Sequence, residues 1–217
     1  MAGFTIVELL IAMGLIAIVL ASVTGVLVRG QQTYLTATNQ AEAQQVARLS
    51  LERMAREIRE AGLCPTCGGG AMTPFAAITN ATATSFTIQN DWNGTWNCAP
   101  GACPGVGCAG IEPGQIVVLP DGSQRGEQVT YSVVGTVLQR QESAVDAAPQ
   151  ILADNVAQVA ATPVFQYLDQ NDAATANACD IRTVVVSLRA RPRIEPSTSV
   201  AGHAEVVMTD GIRVRNR

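Results

Sequence analysis

Few side chains in this sequence are spaced for chemistry. The most suggestive group is Cys64-Pro65-Thr66-Cys67, a CxxC that can act as a dithiol redox pair or as half of a zinc site. A redox CxxC opens a helix in a βαβ setting, whereas this one follows the end of a predicted helix. Zinc would need a second pair, and Cys103 and Cys108 stand further apart than zinc-knuckle ligands do. Any Ser–His or Cys–His mechanism would have to use His203, the only histidine, which lies beside Gly202 in a loop and is read as a solvated surface side chain. Asp169-Gln170-Asn171-Asp172 gathers oxygen ligands after a strand, but it lacks the DxDxDG spacing of a calcium loop and is read as a turn. Trp92 and Trp96 either offer an apolar contact to a partner or pack on the adjacent cysteine-rich loop. No catalytic residue, metal or cofactor is assigned, and a structural protein rather than an enzyme is expected.

One acid stands apart. Glu8 is the only charged residue from position 4 to 28, in the run FTIVELLIAMGLIAIVLASVTGVLV. At about 1.5 Å per residue this run makes a helix about 37 Å long, enough for a hydrocarbon core of about 30 Å. Its Phe, Ile, Leu and Val residues each favour insertion by about 0.3–0.6 kcal/mol. A single carboxylate opposes it by about 2.5–3.5 kcal/mol at mid-depth, and by less near the end. The apolar sum is larger, so the segment is expected to insert. A secretory signal peptide fits poorly, because its basic region precedes the apolar one and small residues close it. Here only Met1-Ala2-Gly3 precedes the apolar run. An ordinary signal anchor leaves unexplained an acid so soon after a Gly-Phe junction.

The helix that carries Glu8 is expected to continue far past the membrane. No proline occurs between Phe4 and Leu63, and residues 39–61 are rich in Ala, Gln, Glu, Arg and Leu. Ala47, Leu51, Met54, Ile58 and Ala61 recur at helical spacing and mark one apolar face. Glu52 with Arg56, Arg53 with Glu57 and Arg56 with Glu60 are expected as i,i+4 pairs on the wet face. Gly62 is a natural stop. The helix is thus predicted to be about 58 residues and 87 Å long, apolar all round in its first half and amphipathic in its second. Gly14 and Gly25 are positions for a bend or for close helix–helix approach.

Beyond Gly62 the pattern changes to short strands between Gly, Pro, Asn and Asp. Candidates are residues 75–79, 85–89, 115–119, 128–134, 136–141, 164–168, 182–189 and 205–215, with the clearest hairpin turning at Gly135. An antiparallel sheet packed on the amphipathic helix would cover both apolar faces, an α+β arrangement. Six cysteines, Cys64, Cys67, Cys98, Cys103, Cys108 and Cys179, all follow the apolar segment, and in an exported chain they suggest a disulfide framework. Residues 98–108 are read as an exposed stapled loop, either a partner surface or a functionless insertion. The 14 basic residues are all arginine against 18 acids, net −4, with no concentrated basic face of the kind that binds nucleic acid.

The residues Gly3-Phe4-Thr5-Ile6-Val7-Glu8-Leu9-Leu10-Ile11 resemble the GFTxxELLI signature of type IV prepilins and type II secretion pseudopilins. The resemblance implies a pilin-like fold, with a leader at 1–3, a transmembrane half-helix at 4–28, an amphipathic half at 29–62 and a β-rich head at 63–217. It implies cleavage by a prepilin peptidase between Gly3 and Phe4, N-methylation of Phe4, and docking of Glu8 onto the Phe4 ammonium of a neighbouring subunit. The stretch from Gln45 to Gly62 and the ending Gly211-Ile212-Arg213-Val214-Arg215-Asn216 are more similar to PilW-type minor pilins, with J-type pseudopilins second. Such a subunit is expected in the inner membrane, single-pass with a periplasmic head, and afterwards at a pilus tip or in a periplasmic pseudopilus. The implied partners are other minor pilins, the major pilin, a PilY-type tip adhesin and the inner-membrane assembly platform. Tip-most K- or X-type subunits commonly lack the acid, so Glu8 implies a place beneath another subunit. A membrane-tethered redox or metal protein using the CxxC remains the outlying alternative.

Overall fold

A computed structural model describes residues 5–64, 75–94, 115–157, 162–191 and 206–216. Gly3, Phe4, Cys67, Trp96, Cys98, Cys103, Cys108 and His203 lie outside those residues. One helix, α1 (Ile6–Glu60), runs unbroken through Gly14 and Gly25. It starts on a capping box in which the Thr5 hydroxyl accepts from the Glu8 amide and the Glu8 carboxylate accepts from the Thr5 amide. Ser22 and Thr24 donate to carbonyls one turn back (Ser22 Oγ to Val19 O, 2.7 Å; Thr24 Oγ1 to Leu20 O, 2.9 Å), so neither hydroxyl needs a partner outside the helix. At the other end Gly62 takes φ +77° and donates to Gln89 O at 2.8 Å, which turns the chain into the head. Asn216 Nδ2 donates to the carbonyls of Glu60 and Ala61, capping the last turn from the far end of the described chain.

The head is antiparallel throughout. In chain order the strands are β1 (Ile78–Thr79), β2 (Ser85–Gln89), β3 (Val117–Val118), β4 (Gln124–Arg125), β5 (Gln128–Val134), β6 (Val137–Glu142), β7 (Gln150–Ala153), β8 (Val156–Ala157), β9 (Phe165–Leu168), β10 (Thr183–Ala190) and β11 (Val206–Arg213). They form not one sheet but two, ordered β1-β2-β5-β6-β7 and β11-β10-β8, with β9 also on β10, beside a short β3-β4 ribbon. One edge of β10 is shared: β9 pairs along Thr183–Val186 and β8 along Arg189–Ala190. The β5–β6 hairpin turns at Gly135-Thr136, with φ +62° at Gly135.

Ala47, Leu51, Met54, Ile58 and Ala61 are all buried, and with Ala43 they form the face that packs on β11, β10 and β7. Among the described residues the main core runs from Leu51, Met54, Ile58 and Ala61 through Phe86, Ile88, Tyr131 and Leu138 of the first sheet to Phe165, Val184, Val186, Leu188 and Ile212 of the second, while Ala43 and Ala47 pack with Ala190 in a small cluster beside it. Phe86 links the two sheets, lying edge-on to Phe165 at 4.8 Å and stacked on Tyr131 at 5.3 Å between centroids.

Candidate functional site, the exposed half-helix and its anchorage

Every residue of α1 from Ile6 to Leu35 is solvent-exposed, including fifteen large apolar side chains from Ile6 to Val28. This helix alone among the described residues is long and apolar enough to cross a membrane. Glu8 sits in its first turn. Its Oε2 accepts from both the Thr5 amide and the Thr5 hydroxyl at 3.0 Å, while Oε1 makes no hydrogen bond among the described residues. The T-x-x-E spacing that builds this cap is plain in the sequence. Neither the cost of Glu8 to insertion nor its implied docking onto Phe4 connects it with Thr5.

The head grips the other half of α1 through a buried ionic cluster absent from the sequence reading. On β6 the inward positions run Leu138, Arg140, Glu142, so the face changes from apolar to charged along one strand. Each arm of the Arg140 guanidinium meets a different carboxylate: Nε meets Glu57 at 3.0 Å, the first terminal nitrogen Asp146 at 3.2 Å, and the second Glu142 at 2.7 Å. Glu57 also accepts from the Tyr131 hydroxyl at 2.7 Å. Glu142 Oε1 accepts from the Gly126 amide at 2.8 Å, and Asp146 accepts from the Glu142 amide at 2.7 Å. The Arg140 side chain is only 3% exposed. Burial alone would make it easier to deprotonate, but hydrogen bonds to Glu142 and Glu57 outweigh that and hold it more firmly protonated than usual. Burial, and then the charge of Glu57, raise the Tyr131 phenol above its ordinary range.

Glu57 therefore does not lie on the wet face. Its side chain is 13% exposed and serves the head, with Arg53 closing on it at 3.4 Å from the rim. Among the described residues Glu52 pairs with Arg48 at 2.8 Å rather than with Arg56, and no ion pair joins Arg56 to Glu60.

Cys64 and Cys179 each take part in a disulfide. Trp92 is half-buried, donates to Gly126 O at 3.2 Å and lies 5.7 Å beneath the Arg125 guanidinium, so it is part of the same corner as the charge cluster. Asp169 accepts from the amides of Asn171 and Ala173, which ties its carboxylate into a turn. What emerges is an exposed apolar half-helix joined to a head through a buried charge cluster. No protein-family model, no curated protein and no solved structure matches this chain.

Proposed function

We propose that this chain is a minor subunit of a type IV pilus-like filament, most like a PilW-type minor pilin, with a structural rather than an enzymatic role. In this reading it primes assembly at the inner membrane and sits at or near the tip with other minor pilins and an adhesin. The observation that carries the proposal is the division of α1: Ile6 to Val28 is apolar and exposed on all sides, and only the second half is fastened to the head. Such a cylinder must be surrounded by lipid or by other apolar helices, and the two are nearly equivalent as solvents. Packing and electrostatics can then decide between them. The Glu8 carboxylate is disfavoured in lipid and gains most when a cation reaches it in low dielectric. The N-methyl-Phe4 ammonium of a neighbour would be that cation, and Oε1 of Glu8 is the oxygen open to it.

The test is Glu8→Ala. The variant is expected to reach the inner membrane at the wild-type level while its share in sheared filaments falls at least about tenfold, the equivalent of about 1.4 kcal/mol. Unchanged incorporation would remove the docking role.

A further inference from the structure

Among the described residues, the edge strands of the two sheets are closed in different ways, with one exception. β1 is two residues long. On β7 the Leu152 carbonyl accepts from Ser50 of α1. β9 is engaged on its outer side, with Phe165 donating to Ala83 O and Tyr167 accepting from Thr175. Val156 of β8 donates to Thr136 O, across to the first sheet. β11 differs. It is eight residues long, pairs with β10 along its whole length, and makes no backbone hydrogen bond on its other edge among the described residues. The antiparallel register directs Val206, Met208, Asp210 and Ile212 toward β10, in phase with the bond from Val214 to Arg182 O. Val207, Thr209, Gly211 and Arg213 therefore aim their amides and carbonyls outward. Open edges of this length are normally blunted by proline, lysine, a bulge or a cover, because they template pairing with another chain.

We infer that the β11 edge is an interaction surface that receives an extended strand from a subunit of different sequence, adding it antiparallel to the four-stranded sheet. The inference rests on the membrane-anchored reading of α1. Antiparallel pairing of two copies of this chain would place a twofold axis through the sheet and point their helices in opposite directions. Two such apolar half-helices do not fit one membrane or one polar filament. Centred on Asp210, that pairing would also set two carboxylates side by side. A different chain has neither restriction. Asp210 is exposed on the helix side of the strand and Arg213 on the opposite side. The complementary strand thus carries a basic residue opposite Asp210 and, three positions away, an acidic residue opposite Arg213.

The experiment is amide-resolved hydrogen exchange on the full chain in detergent, comparing material drawn from its native membranes with the same chain produced alone. In the chain alone the amides of Val207, Thr209, Gly211 and Arg213 should exchange fast and those of Met208, Asp210 and Ile212 slowly. In the native preparation the four outward amides should slow by about 100-fold or more. Thr209→Pro, at a position whose amide makes no bond to β10, should leave the slow set intact and abolish the new protection. Outward amides that are equally fast in both preparations, or protection that survives Thr209→Pro, would overturn the inference. So would protection that grows with concentration in the chain alone, which would assign the edge to a second copy. The N-terminus of the native sample, read by mass, tests the anchored-subunit proposal separately, because an uncut terminus leaves the exchange result standing.

Discussion

Replacing Arg140 by methionine keeps much of the side-chain volume and removes the buried positive charge that Glu57, Glu142 and Asp146 share. If burial of apolar bulk were what mattered at this position, the change would be nearly neutral. The geometry says otherwise. Three carboxylates would be left at 7–13% exposure, and the one cation still near them, Arg53 at the rim, pairs only with Glu57. Removing one partner of a buried ion pair typically costs about 3–5 kcal/mol. With an m-value of about 2 kcal/mol/M, the urea midpoint should fall by about 1.5–2.5 M. The assay is urea unfolding of the full chain in detergent with its disulfides intact, followed by near-ultraviolet circular dichroism of the head. Arg140→Lys should recover part of the loss, since it keeps the charge but cannot reach three acceptors with a planar fork. In a Glu57→Gln background the cost of Arg140→Met should shrink, and the difference measures the coupling of helix to hairpin. A midpoint shift below about 0.5 M for Arg140→Met would refute the view that this cluster fastens α1 to the sheet.

Two further perturbations probe the same corner and the aromatic core. A Cβ at Gly126 would collide with the Ser143 carbonyl oxygen, so Gly126→Ala must displace backbone. A loss of about 1–3 kcal/mol is expected, with a red shift of Trp92 emission as its bond to Gly126 breaks; unchanged stability would contradict the packing. At high pH, Tyr131 and Tyr167 are both held protonated in the fold, mainly by burial. Their folded pKa values are raised, so stability is unaffected below about pH 10 and falls above it, by about 1.4 kcal/mol per pH unit for each phenol. Tyr131→Phe should halve that slope, and an equal slope in the double phenylalanine variant would show that other groups cause it.

Local pattern carried the parts of this fold that local physics decides. Residues 85–89 and 128–134 alternate polar with apolar side chains, and they are β2 and β5 with those bounds, although Thr87 on the polar side of β2 is buried as well. The helical face from Ala47 to Ala61 needed only the period of α1. Glu57 shows where this stops. It is flanked by Met54 and Ile58 at the margin of the apolar face, and it turns inward because Arg140 waits there, 83 residues away in sequence. No window along the helix contains that arginine. Arg140 itself sits between Gln139 and Gln141 in the predicted hairpin strand, and its burial depends on Glu142 and Asp146 arriving with it. β4, β7 and β8 have no pattern of their own: they are short and take strand geometry through pairing with β3, β6 and β10. The division into two sheets depends on β10 sharing one edge between β8 and β9, which no single strand encodes. The Thr5–Glu8 cap, by contrast, was present in the sequence as a local motif.

The central claim concerns what becomes of the exposed half of α1. Filaments sheared from cells producing the chain should be digested and searched by mass spectrometry for a peptide beginning at N-methyl-Phe4. Its presence in the filament fraction is the predicted result, for it requires cleavage after Gly3, methylation and assembly outside the cell. Functional protein that retains Met1-Ala2-Gly3 at its terminus would contradict the assignment of this chain as a filament subunit.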